Sequence, residues 1–365
     1  MFSTKKDLIN HRIVNQYLNK QKFTSPSEAV AHLLAVQAQD YAGGKWAVAQ
    51  RLNNFSDTDL DKAFDKGEIL RTHLMRTTWH FVTPEDITWM LPLTARRVNT
   101  AINHQHRELK IDDASWERVI KIFERELGNN NYQTRAALES IVRKENVVKK
   151  EIRFNYILHR AESEGIICSG PKQGKQFTFA LLNERAPRYF TFSKEEALGR
   201  LTEKYFVSHG PAMLKDFIWW SGITLREART GLEIAKKKLS CAVISGNEFW
   251  FSNSLEMKKA DMPPVMLLPN YDEYVVGYKD RGAILNTEQF SRLGPKANAV
   301  FHHCLIIDGI ISGIWRRNLK KEKVVLEIVS FNKLTGTQKS ALETEVEKYG
   351  KFFGKKSELM LKIIK

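Results

Sequence analysis

The feature that most constrains this chain is a repeated order of elements: short capped helices, then a pair of β-branched and aromatic runs, three times over. In residues 7–20, Leu8, Val14, Tyr17 and Leu18 fall near one helical face. Ser25-Pro26-Ser27-Glu28 follows, with Ser25 as N-cap, Pro26 as first helical residue and Glu28 as the returning side chain of a capping box. That helix is expected to run through Val30, Leu33, Leu34 and Val36 to Gln37-Ala38-Gln39, where Gly43-Gly44 breaks it. A third helix starts near Asp57 and ends at Gly67, and residues 69–83 (ILRTHLMRTTWHFVT) alternate as a strand or hairpin does. Helices closed by a β-ribbon within about 85 residues outline a winged helix-turn-helix, a fold used mostly on duplex nucleic acid.

The outline recurs. Helical patterns fit residues 84–109, 113–127, 134–145 and 151–164, and residues 166–182 read as two strands around a Gly/Lys turn. A third set comprises helices at 194–209, in AMLKDFIWWSG and at 224–238, with strands at 240–252. After Pro263 the sequence turns β-rich, interrupted by one amphipathic helix over 337–349. The expected fold class is α+β: three tandem winged-helix units (1–110, 111–190, 191–262) and a small C-terminal β-barrel (263–365). No low-complexity linker separates them, so one body is expected.

The 365 residues include 57 Lys+Arg and 42 Asp+Glu, a net charge of +15. Hydrophobic residues at 42% and charged residues at 27% are ordinary globular usage and exclude a disordered chain. No apolar run approaches the roughly 20 residues of a membrane span, and MFSTKKDLINHRI lacks the apolar core of a secretory signal. Cys168, Cys241 and Cys304 form no close pair, which fits a reducing cytoplasm rather than a disulfide framework. The expected location is cytoplasmic and nucleoid-associated.

The basic excess points to a polyanion. It concentrates in residues 142–160, which contain Lys149, Lys150 and Arg153, and around Arg316, Arg317, Lys320 and Lys321. Aromatic residues accompany both clusters, a mixture suited to phosphate contacts beside a groove and equally to a solvated face. The second cluster is expected to form a hairpin turn between a strand ending at Trp315 and one starting at Lys323.

Four stretches in order, LLAVQAQDYAGGKWAVAQRL, LRTHLMRTTWHFVTPEDI, SHGPAMLKDFIWWSGI and LLPNYDEYVVGYKDR, resemble the successive blocks of the AlkZ-type winged-helix DNA glycosylases, a family related to YcaQ. The resemblance spans most of the chain. It implies a C-shaped clamp of three winged helices and a β-barrel on double-stranded DNA, and a catalytic Gln–apolar–Gln element at Gln37-Ala38-Gln39. Gln-x-Gln alone is a weak motif, and only the surrounding block gives it meaning.

Glycosidic cleavage passes through an oxocarbenium-like state, and a poor leaving group needs protonation by an acid. An N7-alkylated purine is already cationic and leaves as a neutral base. The enzyme then mainly has to hold a water and stabilise developing charge, which an amide with one acceptor and two donors can do without titrating. Side chains at i and i+2 share a face only in extended backbone, so Ala38 is expected in non-helical backbone. The competing reading is that both glutamines merely cap a helix end.

The expected activity is therefore monofunctional hydrolysis of N7-alkylpurine glycosidic bonds, extending to interstrand cross-links. A non-catalytic winged-helix DNA-binding protein is the alternative. Candidate cleft residues are Arg76, Thr77, His80 and Asp272, with packing or turn-fixing as the competing role for His80 and Asp272. His104-x-His106 and His302-His303-Cys304 lack a further spaced ligand, so no metal is expected. Without a phosphate-binding glycine motif no nucleotide or other cofactor is expected either; the protein is expected to act as a monomer.

Overall fold

The computed structural model describes residues 4–75, 78–95, 111–148, 152–187, 192–254, 262–294 and 297–364. They form an α+β fold in which one sequence of elements appears three times. In the first, helix Pro26–Leu33 leads to strand Val36–Gln37, helices Tyr41–Ala49 and Asp57–Lys66, and strands Leu70–Leu74 and Thr78–Val82. The short first strand joins the outer edge of the last, so the sheet order is first, third, second. Residues 111–187 repeat it: helix Asp113–Leu127, strand Gln133–Thr134, helices Arg135–Lys144 and Phe154–Ser163, and strands Ile167–Ser169 and Thr178–Leu181, again ordered first, third, second. In the third, helices Lys194–His209, Leu214–Ser221 and Leu225–Ala235 precede the hairpin Leu239–Ile244/Asn247–Ser252, and the first strand shrinks to a bridge between Ala212 and Trp250.

Local chemistry sets the helix starts. Ser56 with Asp59, Ser193 with Glu196 and Thr224 with Glu227 close reciprocal capping boxes, each cap contributing about 1 kcal/mol. Ser25 caps the helix at Pro26 by accepting from the Glu28 N–H. That helix stops earlier than its apolar pattern suggests: Leu34 adopts φ 69° and the chain turns into the Val36–Gln37 strand. Gly43 and Gly44 lie inside helix Tyr41–Ala49 and do not break it. Their role is close packing, since a Cβ would come within 2.9 Å of Asn270 Oδ1 at Gly43 and within 2.9 Å of the Phe81 ring at Gly44.

The expected closed barrel is not what the described C-terminal residues form. They make an open five-stranded sheet in which Val265–Leu268 and Lys356–Ile363 are the two edges. Helix Gly336–Phe352 packs on both edge strands and occupies the place where closure would occur. It returns the chain so that the last strand runs parallel to Lys323–Ser330. The Val265–Leu268 edge is satisfied by side chains: Trp46 Nε1 and Gln50 Nε2 donate to the Leu267 carbonyl (2.7 and 2.6 Å), and Glu345 accepts from its N–H.

One apolar core joins the first unit to this sheet and another joins it to the third unit. The second unit buries its own core around Trp116, Phe123, Leu138 and Ile157. It also packs on the first unit, with Cys168, Leu182 and Ala186 joining Leu70 and Leu74 and the Arg71 N–H donating to Ser169 Oγ, and a cleft opens beside that contact. No described helix is long and apolar enough to cross a membrane.

Candidate functional site

Gln37 ends the strand Val36–Gln37, Ala38 follows outside regular structure and the chain bends at Gln39, so the segment is non-helical and lies beyond helix Pro26–Leu33, whose C-cap is Leu34. Each peptide of the segment is held by a different part of the molecule. The Gln37 N–H donates to Glu273 Oε1 (3.1 Å) in the C-terminal region. The Ala38 N–H donates to the Trp79 carbonyl (2.7 Å) on the neighbouring strand. Arg71 Nε donates to the Ala38 carbonyl (3.1 Å). Asp40, next in sequence to Gln39, accepts the Gly43 N–H as N-cap and takes both contacts of Arg317 Nη2 at 2.9 Å from the C-terminal sheet.

The two glutamines nevertheless differ. Gln37 pairs with His80, which pairs with Thr72, so these three share one face of the sheet, and all are buried. The opposite face carries Arg71, His73 and Trp79 and opens on a cleft of about 1,220 Å³ between the first and second units. The chain bends at Gln39, which is exposed and lines that cleft, its Oε1 3.4 Å from the Trp79 N–H.

The cleft wall is aromatic and charged. Arg71 is buried, with its guanidinium 4.2 Å from the Trp79 ring and 4.9 Å from Phe177 of the second unit. Burial pulls its pKa down to about 10, with the nearby Glu162 carboxylate working against that fall. His73 packs against the Trp79 ring (4.4 Å) and the His159 ring (4.1 Å), and its Nδ1 meets Glu162 across the unit boundary. Arg135 and Lys175, both exposed, line the second-unit side.

Beneath Gln37, Glu273 is a buried polar hub. Its Oε2 accepts Trp220 Nε1 (2.8 Å) and lies 3.2 Å from His209 Nε2, with His209 and Glu273 almost completely buried.

Of the other candidates, Asp272 does not face the cleft. It is wholly buried, paired with Arg51 at 3.0 and 3.1 Å, and caps the turn Glu273–Val276. This placement favours the turn-fixing reading, since both carboxylate oxygens are taken up by Arg51 and the turn. His80 is buried behind the cleft with Nδ1 2.8 Å from the Thr78 carbonyl, a placement that favours the packing role. Arg76, Thr77, Lys149 and Lys150 lie outside the described residues, as do His104 and His106. Arg153 is exposed at the start of helix Phe154–Ser163.

The basic cluster divides in two. The strand Ile310–Leu319 continues past Trp315, so Arg316 and Arg317 belong to it and point to opposite faces. Arg316, Lys320 and Lys321 are exposed, whereas Arg317 is spent on Asp40 and the Tyr349 hydroxyl. His303 stacks on Trp315 and accepts from the Asn270 N–H, and no group of three metal-ligating side chains occurs among the described residues.

Sequence reasoning overlooked Arg71, His73, Glu162 and Glu273. Arg71-x-His73 did carry a signal: two polar residues alternating with Leu70, Thr72 and Leu74 put both on one strand face.

Comparison with known proteins identifies the class. The family model for DNA glycosylase AlkZ-like proteins matches residues 30–352. The interstrand DNA cross-link repair glycosylase of Streptomyces sahachiroi is 23% identical over 327 residues, covering 83% of this chain and 85% of that protein. The solved structure of Streptomyces sahachiroi DNA glycosylase AlkZ superposes with a TM-score of 0.82 over the full length of both chains at 20% identity, a likeness of fold. The chain is thus a DNA glycosylase, a hydrolase acting on N-glycosyl bonds of DNA. It belongs to the AlkZ-like family.

Proposed function

We propose that this glycosylase hydrolyses the N-glycosidic bond of N7-alkylated purines in duplex DNA, interstrand cross-links included, with a water held by the glutamine pair. The observation that carries this reading is the clamping of Gln37-Ala38-Gln39 from three directions at the wall of a cleft. A backbone so fixed keeps the Gln39 amide aimed without reorganisation, which is where electrostatic and positioning catalysis gain most. Gln39 presents the water from the cleft wall, and Gln37, buried on the other face of the strand, acts from behind by fixing the segment that carries Gln39. The cationic base leaves unaided.

The three repeated element sets are read as winged helices, with boundaries near residues 110, 190 and 262, and together with the C-terminal sheet they form a clamp around the duplex. Arg153, Arg316, Lys320 and Lys321 contact phosphates, and the protein acts as a monomer. A cross-linked base is tied to the opposite strand and cannot swing out fully, so an open cleft suits it better than a closed pocket. The name of the Streptomyces relative supports cross-links as substrates. Single-turnover release of N7-methylguanine and of a nitrogen-mustard cross-link tests the reading; tight DNA binding without release from either would reject it.

A further inference from the structure

We propose that His73, held by Glu162, is a proton donor to the departing base, and that the enzyme therefore also excises uncharged purines such as hypoxanthine. The inference rests on the glycosylase reading above and widens its substrate class. An N7-alkylpurine needs no acid, yet the cleft that holds Gln39 also holds a carboxylate–imidazole pair contributed by two different units. His73 is the cross-strand partner of Trp79, whose N–H meets the Gln39 amide, so the imidazole stands one residue from the proposed water site. Nδ1 is committed to Glu162, and Nε2 has no partner among the described residues. A carboxylate on Nδ1 fixes the tautomer and orientation of the ring, as in other acid–base histidines. The Trp79 and His159 rings both pack against the imidazole at tilted angles, with centroids at 4.4 and 4.1 Å, and hold the ring in place.

The step balances as follows. The imidazolium Nε2 proton passes to N7 of the neutral purine as the C1′–N9 bond breaks and its electron pair stays on the base. The Gln39-held water adds its oxygen to C1′ and loses a proton to solvent, and solvent reprotonates His73. Charged or titratable groups facing His73 are Glu162 and His159 on the second-unit helix, Arg71 on its own strand, and Arg135 and Lys175 across the cleft.

The test measures single-turnover release of hypoxanthine and of N7-methylguanine from otherwise identical duplexes between pH 5.5 and 8.5. In the wild type the ratio of hypoxanthine to N7-methylguanine release should fall as pH rises. His73→Gln should lower that ratio about 100-fold, and Glu162→Gln, which keeps the side-chain size, should lower it in the same direction. N7-methylguanine release without any hypoxanthine release would overturn the proposal and leave the glycosylase reading standing, as would a ratio independent of pH in the wild type. Release of neither base would sink that reading, and this inference with it.

Discussion

The backbone N–H of Gln37 donates to the carboxylate of Glu273 across 3.1 Å, linking the first strand of the molecule to a residue 236 positions later. Because Glu273 also takes the Trp220 indole and faces His209, one buried carboxylate sets the strand edge that carries the glutamines. Glu273→Ala should take the acceptor from the Gln37 backbone N–H and the Trp220 indole in a buried site. At about 1–3 kcal/mol for each stranded group, urea unfolding should show a loss of several kcal/mol. Base release should fall more than DNA affinity, as the strand edge carrying Gln37 loses its anchor.

Arg317 and its neighbours adjoin in sequence, but Arg317 is paired with Asp40 while Arg316, Lys320 and Lys321 are exposed. Replacing Arg316, Lys320 and Lys321 with Ala should reduce the slope of log affinity against log salt by about 2–3, with little effect on the rate at saturating enzyme. Arg317→Met should do the reverse: an unchanged salt slope and a slower rate, because its partner Asp40 follows Gln39. A double-mutant cycle with Asp40→Asn should give a coupling of about 0.5–3 kcal/mol. A salt slope that drops with Arg317→Met would assign that side chain to DNA instead.

Stability should fall on mild acidification. Burial holds the pKa values of His32 and His303 down to about 4, from an ordinary value of 6.5. Between those two values the unfolded chain binds protons that the folded chain excludes. The stabilisation is therefore complete above pH 6.5 and is lost as pH falls toward 4. Near pH 5 each histidine should account for about 2 kcal/mol. Urea unfolding at pH 7.5 and 5 should show this fall, and His303→Gln should be less sensitive to pH than the wild type.

Much of the architecture was legible because it is written locally. The Ser25 cap before Pro26, the helical patterns beginning near Asp57, Lys194 and Thr224, and the alternation of ILRTHL announce helices and strands without reference to the rest of the chain. What was not legible depends on distant partners. Gly43 and Gly44 look like breakers until Asn270 and Phe81 are seen pressed against them. Asp272 and Glu273 are equivalent carboxylates in sequence, yet Arg51 takes one while the strand edge at Gln37 takes the other. The sheet stays open because a helix sits between its edges, an outcome no strand pattern records.

The central claim is that the glutamine pair holds the attacking water. Its most direct test is single-turnover release of N7-methylguanine from duplex DNA by wild type, Gln37→Ala and Gln39→Ala at equal DNA occupancy. Release by the wild type, a loss of about 10²–10³ in each variant and unchanged binding are the expected result. Full activity in both variants at equal occupancy would contradict the account and move the water to another group of the cleft.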